Sequence, residues 1–183
     1  MWRRFTAALG AMLALAACGS SQSSSSSSPA QSAHSTSASR SLSACSAAHL
    51  RPGYVGTQGA TGHLELTLSL QNVSPRSCRI VGYPAATLLG ANGKPLAMHI
   101  THRRGFFPDT LRRPRPVTLA PGTRARFGVS FITNNEYRGA RVCRTAVRVA
   151  AGLPGFNGAT VSLRHAPKIA PCGHQLVVSP VYT

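Results

Sequence analysis

Apolar and polar residues alternate without a break from 63 to 70, where the sequence reads His-Leu-Glu-Leu-Thr-Leu-Ser-Leu. Because successive side chains of a β-strand point to opposite faces, the leucines lie on one face and the polar residues on the other. Residues 124–131 repeat the pattern, with apolar side chains at every second position from 125. Both segments are predicted to be strands with one face in the core and one in solvent. We expect Glu65, on the polar face, to be a solvated charge paired with a nearby arginine.

Shorter strand-like segments follow the same rhythm, and turn residues separate them. The segments are 79–81, 86–89, 96–101, 116–119, 146–149, 160–163 and 176–179. The turn signals are at 74–75, 92–93, 120–122, 152–158 and 166–167. No stretch of residues 44–183 offers ten residues of clean helical period. Many short strands at this spacing predict an all-β domain, an immunoglobulin-like β-sandwich of short antiparallel strands, with a barrel as the alternative.

The start of the chain has a different pattern, which is typical of an export signal. Arg3 and Arg4 precede an apolar run of 13 residues, 5–17, whereas a spanning helix needs about 20. The run ends in Leu-Ala-Ala-Cys-Gly, which resembles the lipobox of bacterial lipoproteins with Cys18 as the lipidated residue. Residues 1–17 are thus expected to be a lipoprotein signal peptide, and Cys18 to anchor the protein at the extracytoplasmic face of the cell membrane. The alternative is ordinary signal cleavage with Cys18 incidental.

A serine-rich stretch follows the expected lipidation site. Residues 19–43 contain 14 serines and almost no apolar side chains. Such a composition cannot offset the entropy of ordering, so we interpret residues 18–43 as a lipidated cysteine and a flexible linker. A linker of this length spans roughly 25–30 Å on average, which would hold a folded domain of residues 44–183 away from the membrane.

Four cysteines remain after lipidation, namely Cys45, Cys78, Cys143 and Cys172. An even number in an exported domain predicts two disulfides, for which three connectivities are possible. We favour pairing the first two and the last two, because each bridge then closes a moderate loop within one half of the domain. Each should contribute about 3–4 kcal/mol in the loop-entropy description. A zinc site is the rival interpretation, but the chain has no Cys-x-x-Cys motif.

Residues 78–84 read Cys-Arg-Ile-Val-Gly-Tyr-Pro, and the turn at 119–122 reads Leu-Ala-Pro-Gly. With these two segments as its most specific matches, the order of motifs from Cys45 onward resembles an actinobacterial family of exported proteins that carries the domain of unknown function four-two-three-two. The resemblance covers residues 45–183 and implies a secreted or lipid-anchored protein with no assigned activity. It transfers no catalytic residues. The segment 102–115 departs from the family because it is richer in arginine.

The scarcity of acidic residues argues against an enzyme. The chain has 20 Lys and Arg against three acids, Glu65, Asp109 and Glu136, for a formal net charge of +17. Paired-carboxylate hydrolysis, carboxylate metal cages and Ser-His-Asp triads would all have to draw on those three. The sequence also lacks the common hydrolase, metalloprotease and phosphate-loop motifs. We expect no catalytic residues and no cofactor; the alternative is an enzyme with an unrecognised active site.

A metal site is also disfavoured. Met98, His99 and His102 invite a copper interpretation, because exported proteins use methionine and histidine for that metal. On an extended strand, however, the two histidines point to opposite faces. The other histidines have no ligand spacing, so no metal ligands are predicted.

The segment 101–116 is the best candidate for a binding surface. It holds five arginines and two phenylalanines against a single acid, Asp109: Arg103, Arg104, Phe106, Phe107, Arg112, Arg113 and Arg115. Its glycine and prolines exclude a helix and predict a long loop. Guanidinium groups suit phosphate or carboxylate, and the phenylalanines could add apolar contact. The alternative is that the phenylalanines pack back onto the domain and the arginines are merely solvated.

These features predict a noncatalytic domain that binds an anionic cell-envelope polymer or an exported partner protein, in addition to the membrane through the lipid anchor. Nucleic acid is not expected, because of the compartment and because aromatic residues are only 6% of the chain. The excess of arginine over lysine, 18 to 2, also fits a GC-rich codon bias that requires no partner.

Overall fold

The computed structural model describes residues 42–133, 143–155 and 159–183. The predicted signal peptide, Cys18, the linker up to residue 41, Glu136 and residues 156–158 lie outside the described residues. In the described part the chain forms strands and a single turn of 3₁₀ helix, Ala47–His49, which confirms the all-β prediction. The strands are β1 (Leu50–Ala60), β2 (His63–Asn72), β3 (Cys78–Ile80), β4 (Ala85–Leu89), β5 (His99–His102), β6 (Val117–Leu119), β7 (Arg124–Ile132), β8 (Arg148–Gly152), β9 (Ala159–Ser162) and β10 (Cys172–Val178).

The strands form one large sheet and two small ones. The large sheet has the order β1-β2-β7-β10-β5, the second sheet has the order β4-β8-β9, and β3 pairs with β6. One pairing differs from the antiparallel prediction, because β5 runs parallel to β10 at the edge of the large sheet. This pairing joins segments that are far apart in the sequence, so no local turn signal could indicate it.

The core lies on the face of the large sheet that the alternation predicted. Leu66, Leu68 and Leu70 of β2 are fully buried, as are Phe127 and Val129 of β7. They belong to the same hydrophobic cluster as apolar residues of the two smaller sheets. The strands of the three sheets therefore enclose one core, as in a β-sandwich.

The strand β1 was not predicted. It pairs with β2 along its length through a tight hairpin turn at Thr61 and Gly62, both of which have positive φ, 48° and 76°. Such a turn matches the right-handed twist of the paired strands and favours glycine. A bulge between Tyr54 and Gly56 and the presence of Pro52 obscure the alternation in β1.

Both predicted disulfides are confirmed. Cys45 is bonded to Cys78, which fastens the segment before β1 to β3, and Cys143 is bonded to Cys172 at the start of β10. The sequence separations are 33 and 29 residues, so each bridge stays within one half of the domain.

Part of the outer face of the large sheet, around Glu65, is covered by the predicted loop between β5 and β6. We call residues 103–116 the strap. It leaves the edge of the sheet where the Arg103 N–H donates to the Val178 carbonyl at 3.2 Å, and it contacts β2 through a hydrogen bond between Thr110 and Glu65. Among the described residues, no helix is long and apolar enough to cross a membrane.

Candidate anion-binding surface

The strap is fastened to the sheet by a buried carboxylate. Glu65 on β2 is paired across the sheet with Gln58 of β1 and Ser130 of β7, and it has no exposed surface. The Gln58 amide donates to Oε1 at 3.0 Å, and the Ser130 hydroxyl donates to Oε2 at 2.6 Å. From the strap, the Thr110 hydroxyl donates to Oε2 at 2.9 Å. The expectation of a solvated, arginine-paired Glu65 is therefore wrong: the strap covers it, and neutral donors replace water.

Two glycines provide the room for this arrangement. A Cβ atom at Gly128 of β7 would lie 2.5 Å from the Glu65 carboxyl carbon. A Cβ atom at Gly105 of the strap would overlap Thr110 and lie 2.8 Å from Glu65 Oε2. These distances are far below van der Waals contact, so larger residues at either position would force the carboxylate and the strap apart.

The middle of the strap is a closed turn. The Gly105 N–H donates to the Thr110 carbonyl, and the N–H groups of Thr110 and Leu111 both donate to the Phe107 carbonyl, each at 2.9 Å. Gly105 and Thr110 are buried, while Phe107 is half-buried. The turn is thus attached to the sheet through its own backbone and through Glu65.

The strap arginines remain on the outside. Arg103, Arg104, Arg112, Arg113 and Arg115 are all exposed, which fits a binding surface and fits solvated side chains equally well. Within residues 42–133, 143–155 and 159–183 there is one ion pair, between Arg112 and Asp109 at 3.7 Å, and both side chains are more than half exposed. Such a pair contributes little, so the arginine remains available to a ligand.

The two phenylalanines have different roles. Phe106 is 41% exposed, its ring lies 4.4 Å from the His63 ring, and the Arg103 guanidinium lies 5.3 Å from its centroid. Phe107 is turned further inward. The Phe106 ring thus contacts the sheet through His63 and stays partly exposed, and Phe106 and Arg103 together border a pocket of about 440 Å³.

The other end of the strap meets the last residues of the chain. Arg112 lies 5.9 Å from the Tyr182 ring centroid, and a pocket of about 510 Å³ is lined by this pair together with Arg113 and Arg115. Burial raises the pKa of Tyr182, and the negative charges of Asp109 and Glu65 raise it further. A hydrogen bond with Thr67 and the positive charge of Arg126 act in the opposite direction.

The described residues show no arrangement typical of a metal centre. His99 and His102 are both exposed on β5, and the His102 ring lies 5.5 Å from the Tyr83 ring. Among the residues that the structure describes, no three side chains of His, Cys, Asp or Glu are grouped so that they could hold a metal ion.

Sequence reasoning missed that Glu65 holds the strap to the sheet, and the only signal was its rarity as one of three acids. In a comparison with known protein families, a family model described as Domain of unknown function (DUF4232) matches residues 45–182. No curated protein matches the chain, and no solved structure matches it.

Proposed function

Since the chain belongs to the family defined by the domain of unknown function DUF4232, we propose that it is a noncatalytic domain that binds an anionic component of the cell envelope through the strap. The observation that supports this most directly is the charge of the surface. Five exposed arginines lie on one short segment, and the acids nearby are Asp109, which is exposed, and Glu65, which is buried.

The strap is suited to binding because its shape is fixed before a ligand arrives. The turn at residues 105–111 is closed by backbone hydrogen bonds and held to β2 by Thr110 and Glu65. A loop that is already ordered loses little conformational entropy on binding, so more of the contact energy contributes to affinity. Guanidinium groups displayed in this way can donate two hydrogen bonds each to a phosphate or carboxylate.

A noncatalytic role is supported by the surroundings of the two described acidic residues, Glu65 and Asp109. Glu65 is enclosed by its three donors, and Asp109 is exposed beside Arg112. Glu65 is fully buried, so its carboxylate cannot reach a substrate, whereas a general acid or base must come within hydrogen-bond distance of the group that it protonates or deprotonates.

The proposal places the domain outside the cytoplasm, attached to the membrane through Cys18. This rests on the sequence resemblance to a lipobox and on the serine-rich linker. We expect Cys18→Ser to leave the protein unprocessed or to release it from the membrane fraction. Unchanged partitioning into detergent after this substitution would contradict lipidation at Cys18.

The binding proposal is tested with two variants that lose the same number of positive charges, one on the strap and one on a different surface of the domain. The strap variant replaces its five arginines with serine. The control variant also loses five positive charges, by serine substitution of exposed residues on or near the β4-β8-β9 sheet: Lys94, Arg144, Arg148, Arg164 and Lys168. Both variants of the full chain are tested for binding to purified anionic wall polymer and to anionic vesicles, at low and high salt.

We expect the dissociation constant of the strap variant for the polymer to rise at least about tenfold at low salt, and that of the control to change much less. Equal retention of the two variants would show that only net charge matters and would refute the strap as the binding surface. Equal binding of the strap variant and the parent, with capture of an exported protein by the parent alone, would favour a protein partner instead.

A further inference from the structure

A concave surface on the outer face of β1, β2 and β7 is lined by three arginines that do not belong to the strap. It is a cleft of about 780 Å³, and it includes Arg51, Arg124, Arg126 and Gln71. We infer that this arginine cleft is a second anion-binding site and that it takes the phosphate groups of a linear polymer.

The strand register brings the three arginines together. Arg51 on β1 is opposite Gln71 on β2, which is opposite Arg124 on β7, and Arg126 lies two residues further along β7. Residues two apart on a strand share a face, so these side chains point away from the core, to which Ala125 belongs. With strands about 4.8 Å apart, the backbones at Arg51 and Arg124 are roughly 10 Å apart. Three long guanidinium side chains can therefore reach one ligand.

Gln71 orients one of the arginines. The Arg124 guanidinium donates to Gln71 Oε1 at 3.2 Å, and the Gln71 amide donates to the Gly122 carbonyl at 2.9 Å. This chain of hydrogen bonds uses one of the five guanidinium donors of Arg124. The other donors can face the cleft in a fixed direction.

The floor of the cleft is open because Gly53 has no side chain. Gly53 is opposite Ser69, and a Cβ atom at Gly53 would lie 3.1 Å from the Ser69 hydroxyl. A larger residue would fill the space between Arg51 and the neighbouring strands. The glycine therefore leaves room for a group that the three arginines can surround.

The charge of the cleft defines the ligand class. Three arginines and no Asp or Glu side chain are among the described residues that line it. A phosphate presents several acceptor oxygens in three dimensions, which suits guanidinium groups that approach from different strands, whereas a carboxylate presents two in a plane.

A polymer is indicated by the connection between the two basic surfaces. Thr183 lines both the arginine cleft and the pocket that contains Arg112, Arg113 and Arg115. A linear chain of phosphates could pass from one to the other, while a flat membrane could not enter a cleft. This continuation to the strap rests on the proposed function; binding of phosphate in the cleft does not.

The test uses the full chain, with inorganic tripolyphosphate as a short probe and long-chain polyphosphate as a polymer probe. The cleft variant carries Arg51→Ser, Arg124→Ser and Arg126→Ser. A control of equal charge carries Arg144→Ser, Arg148→Ser and Arg164→Ser, and the five-serine strap variant is the third protein. Unchanged melting temperatures establish that each variant is folded, and calorimetry measures the dissociation constants.

We expect the cleft variant to bind tripolyphosphate at least about tenfold more weakly than the control, and to bind the polymer more weakly as well. Equal binding of tripolyphosphate by the cleft variant and the control would overturn the inference. If the cleft variant no longer binds tripolyphosphate while the strap variant still binds both tripolyphosphate and polyphosphate, the cleft is established as the binding site and the strap proposal fails. If a polycarboxylate of matched length binds the parent as tightly as polyphosphate does, the assignment to phosphate is wrong.

Discussion

The Glu65 carboxylate is a charged group in a fully buried position, and its stability there depends on donors from three different elements. Gln58, Ser130 and Thr110 supply the hydrogen bonds that water would otherwise make, and two glycines supply the space. Low polarity around the group strengthens these bonds, but it also makes each unpaired donor expensive. Loss of the carboxylate would remove the acceptor of the Gln58 amide and the Ser130 hydroxyl, while the Thr110 hydroxyl could still donate to the Phe107 carbonyl at 3.0 Å.

We therefore expect Glu65→Ala to lower the free energy of unfolding by about 2–4 kcal/mol, from unsatisfied donors and a new cavity. Thr118→Ala is the control, because it also truncates a polar strand residue but at an exposed position of β6. Its effect should stay within about 0.5 kcal/mol. Urea denaturation of the two variants measures the difference, and similar small losses would show that the buried network contributes little.

At the scale of elements, β2 and β7 could be predicted almost to their ends because each carries the evidence within its own sequence. Unbroken alternation assigns both the strand and its core face, and no other segment is needed to interpret it. The disulfides could also be predicted from the sequence, because the number of cysteines limited the possible pairings to three and their spacing favoured one of them. By contrast, β1 contains Pro52 and several glycines, so its pairing with β2 becomes evident only from the register.

The buried side of the candidate site could not be predicted for a related reason. The strap was correctly expected to be a loop with exposed arginines, because its glycine and prolines exclude regular structure locally. Its attachment, however, joins Glu65 to Thr110 and Ser130, which are 45 and 65 residues away in the sequence. Alternation tells which face of a strand a residue occupies, but not which distant segment covers that face.

At the scale of the whole molecule, the positive charge is unevenly distributed. The described part contains 13 arginines, of which five belong to the strap and three to the arginine cleft. A codon bias alone would raise the arginine content without grouping the residues. The proposed binding of an anionic ligand requires such groups, and we expect it to weaken steeply as the salt concentration rises.

Tyr182 connects the strap, the large sheet and the end of the chain. Its backbone exchanges hydrogen bonds with Arg126 of β7, and its ring lies near Arg112 of the strap. Burial is the main cause that raises the pKa of Tyr182, followed by the charges of Asp109 and Glu65. The neutral phenol is therefore favoured in the folded protein relative to the unfolded chain.

Because the pKa of Tyr182 is raised in the folded protein, we expect the protein to lose stability at alkaline pH. Above the ordinary tyrosine pKa of about 10, the unfolded chain releases the phenol proton while the folded protein keeps it, so the free energy of unfolding decreases as pH rises. Below that pH both states are protonated and Tyr182 adds no pH dependence. We expect Tyr182→Phe, which keeps the ring, to show a shallower decrease than the parent between about pH 9.5 and 11. Urea denaturation across this range measures the two slopes. Equal slopes would show that folding does not raise the pKa of Tyr182, and would contradict the burial of its phenol that the structure shows.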